Sequence, residues 1–382
     1  MHIEYIDNHA DLEQACERLG NSQVLCVDTE FHRETTYYPK LALIQLATPQ
    51  HTVCVDPLAI QNLQPLQILF ANTHIIKVFH AAWQDMEIFL NIFGSLPAPV
   101  FDTQIAAALL GKGEQIGYAA LIQEYLGIEV DKSQTRTDWL QRPLNAKQIE
   151  YAAGDVYYLS KAYPLMQQQL HDLHREDWLS ADFQALSNPQ LYTPNPPDMW
   201  RKIKAHQKLR GVELAILQAT TAWRETTAQQ RDKPRKRIVS DDVLIDIARQ
   251  KPTAVAQILS LRSLQNARMP QDDAQALLQC IEQAKQLPQD AWPKLPKFRK
   301  LGEDEDVLVD ALTALLKIQA NAAQINASSI ASRKQLEELV SGERDIALLQ
   351  GWRLQHGGQT LLNFLDGKTS LSVHNDKLTL ST

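Results

Sequence analysis

Cysteine is scarce in this chain, with four residues in 382, at Cys16, Cys26, Cys54 and Cys280. No two share the short spacing of a zinc motif, and four scattered thiols make no disulfide framework. Reduced thiols in a reducing compartment are therefore expected. Long apolar runs are missing as well. No stretch is long enough to span a bilayer, and no apolar segment of the signal-peptide kind opens the chain. The expectation is a soluble, cytoplasmic protein with no membrane partner. Positive charge is short in one half only. Residues 1–190 hold 11 Lys and Arg against 23 Asp and Glu, a net of −12, while residues 191–382 hold 27 against 22, a net of +5. An acidic front half suits a carboxylate-rich cation site, and a basic back half can meet the phosphates of a polyanion. Apolar residues make up 44% of the chain, enough for two or three packed domains.

The organising stretch is Val24-Leu25-Cys26-Val27-Asp28-Thr29-Glu30. It reads as a buried strand that ends in two acids one residue apart. Side chains alternate faces along a strand, so Asp28 and Glu30 point one way and Thr29 the other. Two carboxylates on one face repel unless something positive lies between them, and a hard divalent cation takes oxygen ligands. A strand running into a solvated acidic loop is the plainer alternative.

Around it the pattern is α/β. Ile3 to Ile6 reads as a strand, and a helix starts near Asn8. Leu41 to Ala47 and Thr52 to Asp56 read as two further strands. Three close strands imply antiparallel neighbours. Helices and strands then alternate: helix Leu63–Ala71, strand Ile75–Phe79, helix Ala81–Phe93, strand Val100–Asp102 and helix Thr103–Leu110. Helix Tyr118–Leu126 follows, and Ala146–Leu170 reads as one long helix or two. This order makes a mixed sheet covered by helices. Asn188-Pro189 and Tyr192 to Pro197 read as a linker. Residues 200–290 and 304–366 read as helical, joined by a Pro-containing link at 291–299. Leu371 to Leu380 alternates with period two around Asn375-Asp376, the pattern of a small hairpin.

Two later segments carry acids of the same kind. Asp85 follows the Ile75–Phe79 strand by way of His80-Ala-Ala-Trp83, early in a helix. Its plain role would be to complement the helix N-terminus. Tyr151 and Asp155 stand at i and i+4 on one helix face, with Ala152, Ala153 and Gly154 between them allowing close approach.

Together these residues carry a resemblance. Val27-Asp28-Thr29-Glu30-Phe31, Phe79-His80-Ala81 through Asp85, and Gln148 to Asp155-Val156 resemble the three motifs of the DEDDy 3′→5′ exonuclease superfamily. Tyr37-Tyr38-Pro39, Leu43-Ile44-Gln45-Leu46, Asp102-Thr103-Gln104, Asp131-Lys132-Ser133, Asp138-Trp139 and Arg142-Pro143-Leu144 resemble bacterial ribonuclease D in particular. The segment near 205–285 resembles an HRDC domain, and 295–366 is similar to a second, more divergent copy. The tail from Ser370 fits no HRDC helix and is given no function.

The resemblance implies an RNase H-like mixed-sheet exonuclease domain at 1–190, followed by all-α HRDC-like domains at 200–290 and 295–370. A tail at 371–382, read as a hairpin, completes the chain. It implies a 3′→5′ exoribonuclease with two divalent cations, Mg²⁺ or Mn²⁺, roughly 4 Å apart. Asp28, Glu30 and Asp155 would ligate one cation. Asp28 would bridge to the second, which Asp85 would hold partly through water. Tyr151 would orient the attacking water, since a phenol with a pKa of about 10 is a poor base at neutral pH. The substrates implied are RNA 3′ ends, tRNA precursors first, cleaved to 5′-nucleotides by a monomer.

Further substrate contacts rest on residue type alone. His80 would position Asp85 or the substrate, and a packed, hydrogen-bonded histidine is its plain alternative. Tyr37, Tyr38 and Trp83 could stack on terminal bases for ~1–3 kcal/mol each, with packing the ordinary role for at least one. Lys132, Arg136 and Arg142 could meet phosphates, although isolated surface cations usually do nothing specific. Arg231 to Arg237 holds five cations in seven residues, and Arg235, Lys236 and Arg237 are its candidates for phosphate contact. The rivals are a 3′→5′ DNA exonuclease on the same fold and a non-catalytic HRDC binding protein. The acids cannot separate RNA from DNA, but tandem HRDC-like segments favour ribonuclease D. Retention of all four acids and Tyr151 speaks against a dead site.

Overall fold

The computed structural model describes every residue except 132, 135, 136, 265–267, 296–299 and 382. The chain divides into two units. The first comprises residues 1–30, 42–188 and 298–382, and the second comprises 31–41 and 189–297.

The larger sheet is built from six strands. β1 (Glu4–Ile6) leads into α1 (His9–Leu19), whose N-cap Asn8 accepts the backbone N–H of Asp11. β2 (Val24–His32), β3 (Lys40–Ala47) and β4 (Thr52–Val55) follow. Then come α2 (Gln64–Ala71), β5 (Ile76–Phe79), α3 (Trp83–Phe93), β6 (Val100–Asp102) and α4 (Thr103–Leu109). α5 (Tyr118–Leu126), α6 (Ala146–Asp172) and α7 (Ser180–Leu186) complete this stretch. The strand order is β1-β4-β3-β2-β5-β6. β3 and β4 are antiparallel, while β1–β4, β2–β5 and β5–β6 are parallel. β2 therefore lies inside the sheet, and Leu25, Cys26 and Val27 are at most 1% exposed. The strand runs on to His32 instead of ending at its two acids, and its apolar first half, held from both sides, fixes where Asp28 and Glu30 stand.

α6 is one continuous helix of 27 residues that carries Pro164 inside it. It opens with a capping box, in which Asn145 and Gln148 satisfy each other's backbone N–H. α3 starts at Trp83 rather than Ala81, because Ala81 is left-handed with φ 61°. The helices Glu303–Ala322, Arg333–Val340 and Gln359–Leu365 belong to this unit. Leu312, Leu315 and Leu316 share one apolar cluster with Val156, Leu159 and Tyr163 of α6. Trp178 and Trp352 stack with ring centroids 4.6 Å apart. Arg175, 6% exposed, donates to the carbonyls of Leu109 and Ala323. The chain ends in an antiparallel hairpin, β7 (Ser370–His374) and β8 (Lys377–Ser381). Asn375 and Asp376 both take positive φ, as the tight turn of such a hairpin needs.

In the second unit α8 (Val212–Gln230) is central. Leu214 and Leu217 pack with Trp200, Leu244, Ile247, Leu277 and Ile281. Helices Asp241–Gln250, Val255–Leu259 and Gln271–Gln286 surround it, the first and last supplying those final four side chains. Segment 31–41 is part of this unit. Tyr37 is 5% exposed, lies in the same cluster, and its hydroxyl donates to the fully buried Glu225. Asp232 accepts the backbone N–H of both Tyr37 and Tyr38 at 3.0 Å.

Candidate active site

Three carboxylates meet beside β2, which runs on past its two acids to His32. Asp28, Glu30 and Asp155 are part-buried, and each offers an oxygen within 4.8 Å of the others. The first two share a face of the strand. The third comes from α6, whose Ala152 and Ala153 are 0% exposed and pack against Ala42, Leu43 and Cys54. Small side chains at these positions let the helix approach the sheet closely enough to deliver Asp155. Burial pushes the Glu30 carboxyl up to about 9, helped by the charges of Asp28, Asp155 and Asp85. Burial also pushes up Asp28, and it acts with the charge of Asp28 to push up Asp155. Acids crowded in this way need compensating positive charge. An all-oxygen set of carboxylates is the donor chemistry of Mg²⁺, Mn²⁺ or Ca²⁺, so the residues fit a hard divalent cation.

Asp85 stands apart from the three. It lies in the first turn of α3, 6% exposed, and accepts a 2.5 Å hydrogen bond from Thr29 Oγ1. Burial and the charge of Asp28 push its carboxyl well above the usual range. Thr29, the residue between the two strand acids, is thus the link from β2 to the fourth carboxylate. Sequence reasoning gave it no role. Its signal was its place in the alternation, a polar side chain on the face opposite the acids.

The turn before α3 is held from β6. A left-handed alanine costs roughly 1–2 kcal/mol, and Ala82, at the N-cap, has no side chain to cap the helix. Asp102 holds this turn from outside. Its carboxylate, 3% exposed, accepts Ala81 N–H at 3.2 Å and Ala82 N–H at 2.8 Å. It also caps α4 through Gln104 and Ile105. Thr103 Oγ1 donates to Phe79 O at 2.9 Å and lies 3.0 Å from His80 Nδ1.

A cavity of about 370 Å³ opens on the acids and is lined by Asp28, His80, Tyr118, Asp131, Tyr151 and Asp155 among others. Tyr151 leans on Trp139, with centroids 6.1 Å apart. Tyr118 donates to Gly154 O at 2.8 Å, tying α5 to the segment that carries Asp155. Its ring also meets His80 edge-on. Sequence reasoning missed Tyr118. Its only signal was a tyrosine at a helix start just after Gly117.

The weaker candidates separate. His80 lines the cavity, and burial pushes its imidazole down. Trp83 opens α3 and is 48% exposed. Tyr38, 37% exposed, meets Tyr37 edge-on in the second unit. Tyr37 is a packing residue. Lys132 and Arg136 lie outside the described residues. Two of the candidate cations are committed within the fold. Arg142, read as a phosphate contact, is the first. It forms a two-pronged pair with Asp56 at 2.6 and 2.7 Å and donates to the carbonyls of Ala42, Trp139 and Gln141. Arg235 is likewise committed, to both oxygens of Glu225 and to Tyr37. Arg231 pairs with Asp273. Lys236 and Arg237 are exposed and, among the described residues, carry no ion pair.

A family model described as "3'-5' exonuclease" matches residues 3–171, and one described as "HRDC domain" matches residues 213–281. The sheet and its carboxylates thus belong to a 3′→5′ exonuclease domain of a kind that uses divalent metal. Ribonuclease D of Sphingobium indicum is 37% identical over 380 residues, covering 98% of each chain. Ribonuclease D of Zymomonas mobilis is 38% identical over 381 residues, covering 98% of this chain and 97% of its own. The crystal structure of Escherichia coli RNase D, described as an exoribonuclease involved in structured RNA processing, is 32% identical. It superposes with a TM-score of 0.83 over 96% of this chain and 99% of its own. The chain belongs to the ribonuclease D family, and it is a 3′→5′ exoribonuclease.

Proposed function

We propose that this exoribonuclease trims the 3′ ends of small structured RNAs, tRNA precursors among them, and releases 5′-nucleotides one at a time. Asp28, Glu30, Asp85 and Asp155 hold two divalent cations, Mg²⁺ or Mn²⁺. Bound there, the cations supply Lewis acidity, which activates a water and offsets charge on the departing 3′ oxygen. Tyr151 orients the attacking water through its hydroxyl, and Asp155, one turn on, helps hold the cage. His80, Trp83 and Tyr38 contact the terminal nucleotides, and Lys236 and Arg237 meet phosphates. Lys132 remains a candidate of the same kind. The domain division at 1–190, 200–290, 295–370 and 371–382 is part of this reading, as are a monomeric state and a cytoplasmic setting.

The observation that carries it is the grouping of Asp28, Glu30 and Asp155 within 4.8 Å beside a strand inside the sheet. The test uses matched RNA and DNA oligonucleotides labelled at the 5′ end, treated with EDTA and then with Mg²⁺ or Mn²⁺. A ladder that shortens one nucleotide at a time on RNA, only with metal, is expected. Equal or faster shortening of DNA would move the reading to a DNA exonuclease. No shortening with either cation would overturn it.

A further inference from the structure

We infer that Asp102 and Thr103 are positioning residues for hydrolysis, acting through the turn His80-Ala81-Ala82 to set where Asp85 stands; this rests on the proposed two-cation reading. Neither residue has a place in that chemistry. Both are buried, Asp102 at 3% and Thr103 at 0% exposure, at the junction of β6 and α4. Yet their side chains reach across to the β5–α3 turn. Asp102 accepts two N–H groups there, from Ala81 and Ala82, while accepting two more from its own helix start. One buried carboxylate therefore caps α4 and holds the turn that leads into α3.

The arrangement is specific in three ways. First, Ala81 is left-handed, a conformation that an alanine does not keep without outside support. Second, Ala82 at the N-cap of α3 brings no side-chain bond of its own, and Asp102 is what holds the backbone N–H of that residue and of the one before it. Third, Thr103 Oγ1 donates to Phe79 O at the end of β5 and lies 3.0 Å from His80 Nδ1, so the same residue pair also holds the start of the turn. The pair thus fixes the backbone of the turn from β6. Asp85 sits two residues into α3, and its other tether is Thr29. Releasing the turn lets α3 shift its first residues, and Asp85 then leaves the line to the other acids.

The test compares wild type with Asp102→Ala, Asp102→Asn and the double variant Asp102→Ala/Ala81→Gly. Melting temperature, kcat, KM for RNA, and the Mn²⁺ concentration for half-maximal rate are measured for each. Asp102→Ala is expected to lower kcat about 10- to 100-fold, the range seen when an outer partner of a metal ligand is lost. The Mn²⁺ requirement should rise by a similar factor while KM for RNA holds. Glycine at 81 removes the left-handed penalty, so the double variant should recover part of kcat. Asp102→Asn, which keeps one oxygen acceptor, should fall between Asp102→Ala and wild type and also covers the case in which alanine does not fold. Wild-type kcat at an unshifted Mn²⁺ requirement in folded Asp102→Ala, or in Asp102→Asn where alanine does not fold, would overturn the inference. So would a loss of rate that follows only the loss of folded protein. If wild type itself shows no metal-dependent hydrolysis, the parent reading of the site fails instead.

Discussion

Thr29 Oγ1 donates to Asp85 Oδ1 at 2.5 Å, joining the strand that carries Asp28 and Glu30 to the helix that carries Asp85. Both side chains are 6% exposed. A buried carboxylate keeps its place through the donors it finds, and this one crosses from β2 to α3.

Removing that hydroxyl should therefore be felt at the site. Thr29→Val keeps shape and burial but leaves Asp85 short of a donor. The expected loss is about 10- to 100-fold in kcat, with a higher metal requirement. Thr29→Ser should retain most of the rate. The check is the rate of RNA shortening across a Mn²⁺ series. A Thr29→Val enzyme that matches wild type would show the bond to be idle.

Glu225 predicts a pH effect on the second unit. Burial alone would push its carboxyl up, but bonds from Arg235 and Tyr37 outweigh it and hold it below the ordinary 4.5. A depressed acid contributes stability above its unfolded value, and that contribution is lost as pH falls through the folded value. Glu225→Gln should cost about 3–5 kcal/mol at pH 7, because Arg235 then lacks its partner. The gap between wild type and variant should narrow as acidity passes below the ordinary range. Urea unfolding followed by tryptophan fluorescence at both pH values is the check. A gap that stays constant with pH would refute the assignment.

Arg142 should matter for stability and not for RNA. Its guanidinium holds Asp56, a carboxylate only 3% exposed, below its ordinary range against the cost of burial. Arg142→Leu should destabilise the catalytic unit by about 3–5 kcal/mol. The salt dependence of RNA binding should not change. A flatter salt slope in this variant would return Arg142 to the phosphate contacts.

Lys236 and Arg237 make the opposite prediction. Lys236→Glu with Arg237→Glu should leave the melting temperature nearly unchanged and weaken RNA binding. The slope of log K against log salt should flatten by about 0.7 for each phosphate that the variant no longer neutralises. Fluorescence anisotropy at several salt concentrations measures it. Unchanged affinity and slope would remove this run from the RNA path.

How far the sequence could be read follows from the range of each interaction. β2 was legible because an apolar run and a period of two are local. Tyr151 and Asp155 were placed on one helix face for the same reason. The separation of Asp85 from the three grouped acids was not legible, since it depends on how α3 meets β2 across 56 positions. The start of α3 was set too early because nothing local announces that Ala81 is left-handed; Asp102, 21 positions on, holds it there. The basic residues show the limit most clearly. Arg235, Lys236 and Arg237 look alike in a charge run. Only the fold reveals that the first faces a buried Glu225 and the other two face solvent. The partner of Arg142 was out of reach likewise, Asp56 being 86 positions away.

The central claim is that these acids form a cage for divalent cations, and Asp28→Asn tests it most directly. The measurement is Mn²⁺ binding to the metal-free protein by titration, with melting temperature and RNA hydrolysis recorded on the same samples. The account predicts that Asp28→Asn melts no lower than wild type, because one of the mutually repelling buried acids is gone. It also predicts that Mn²⁺ binding and hydrolysis fall together by at least about 100-fold, the upper end of the range for support of a ligand rather than the ligand itself. An Asp28→Asn protein that binds Mn²⁺ and shortens RNA as wild type does would contradict it.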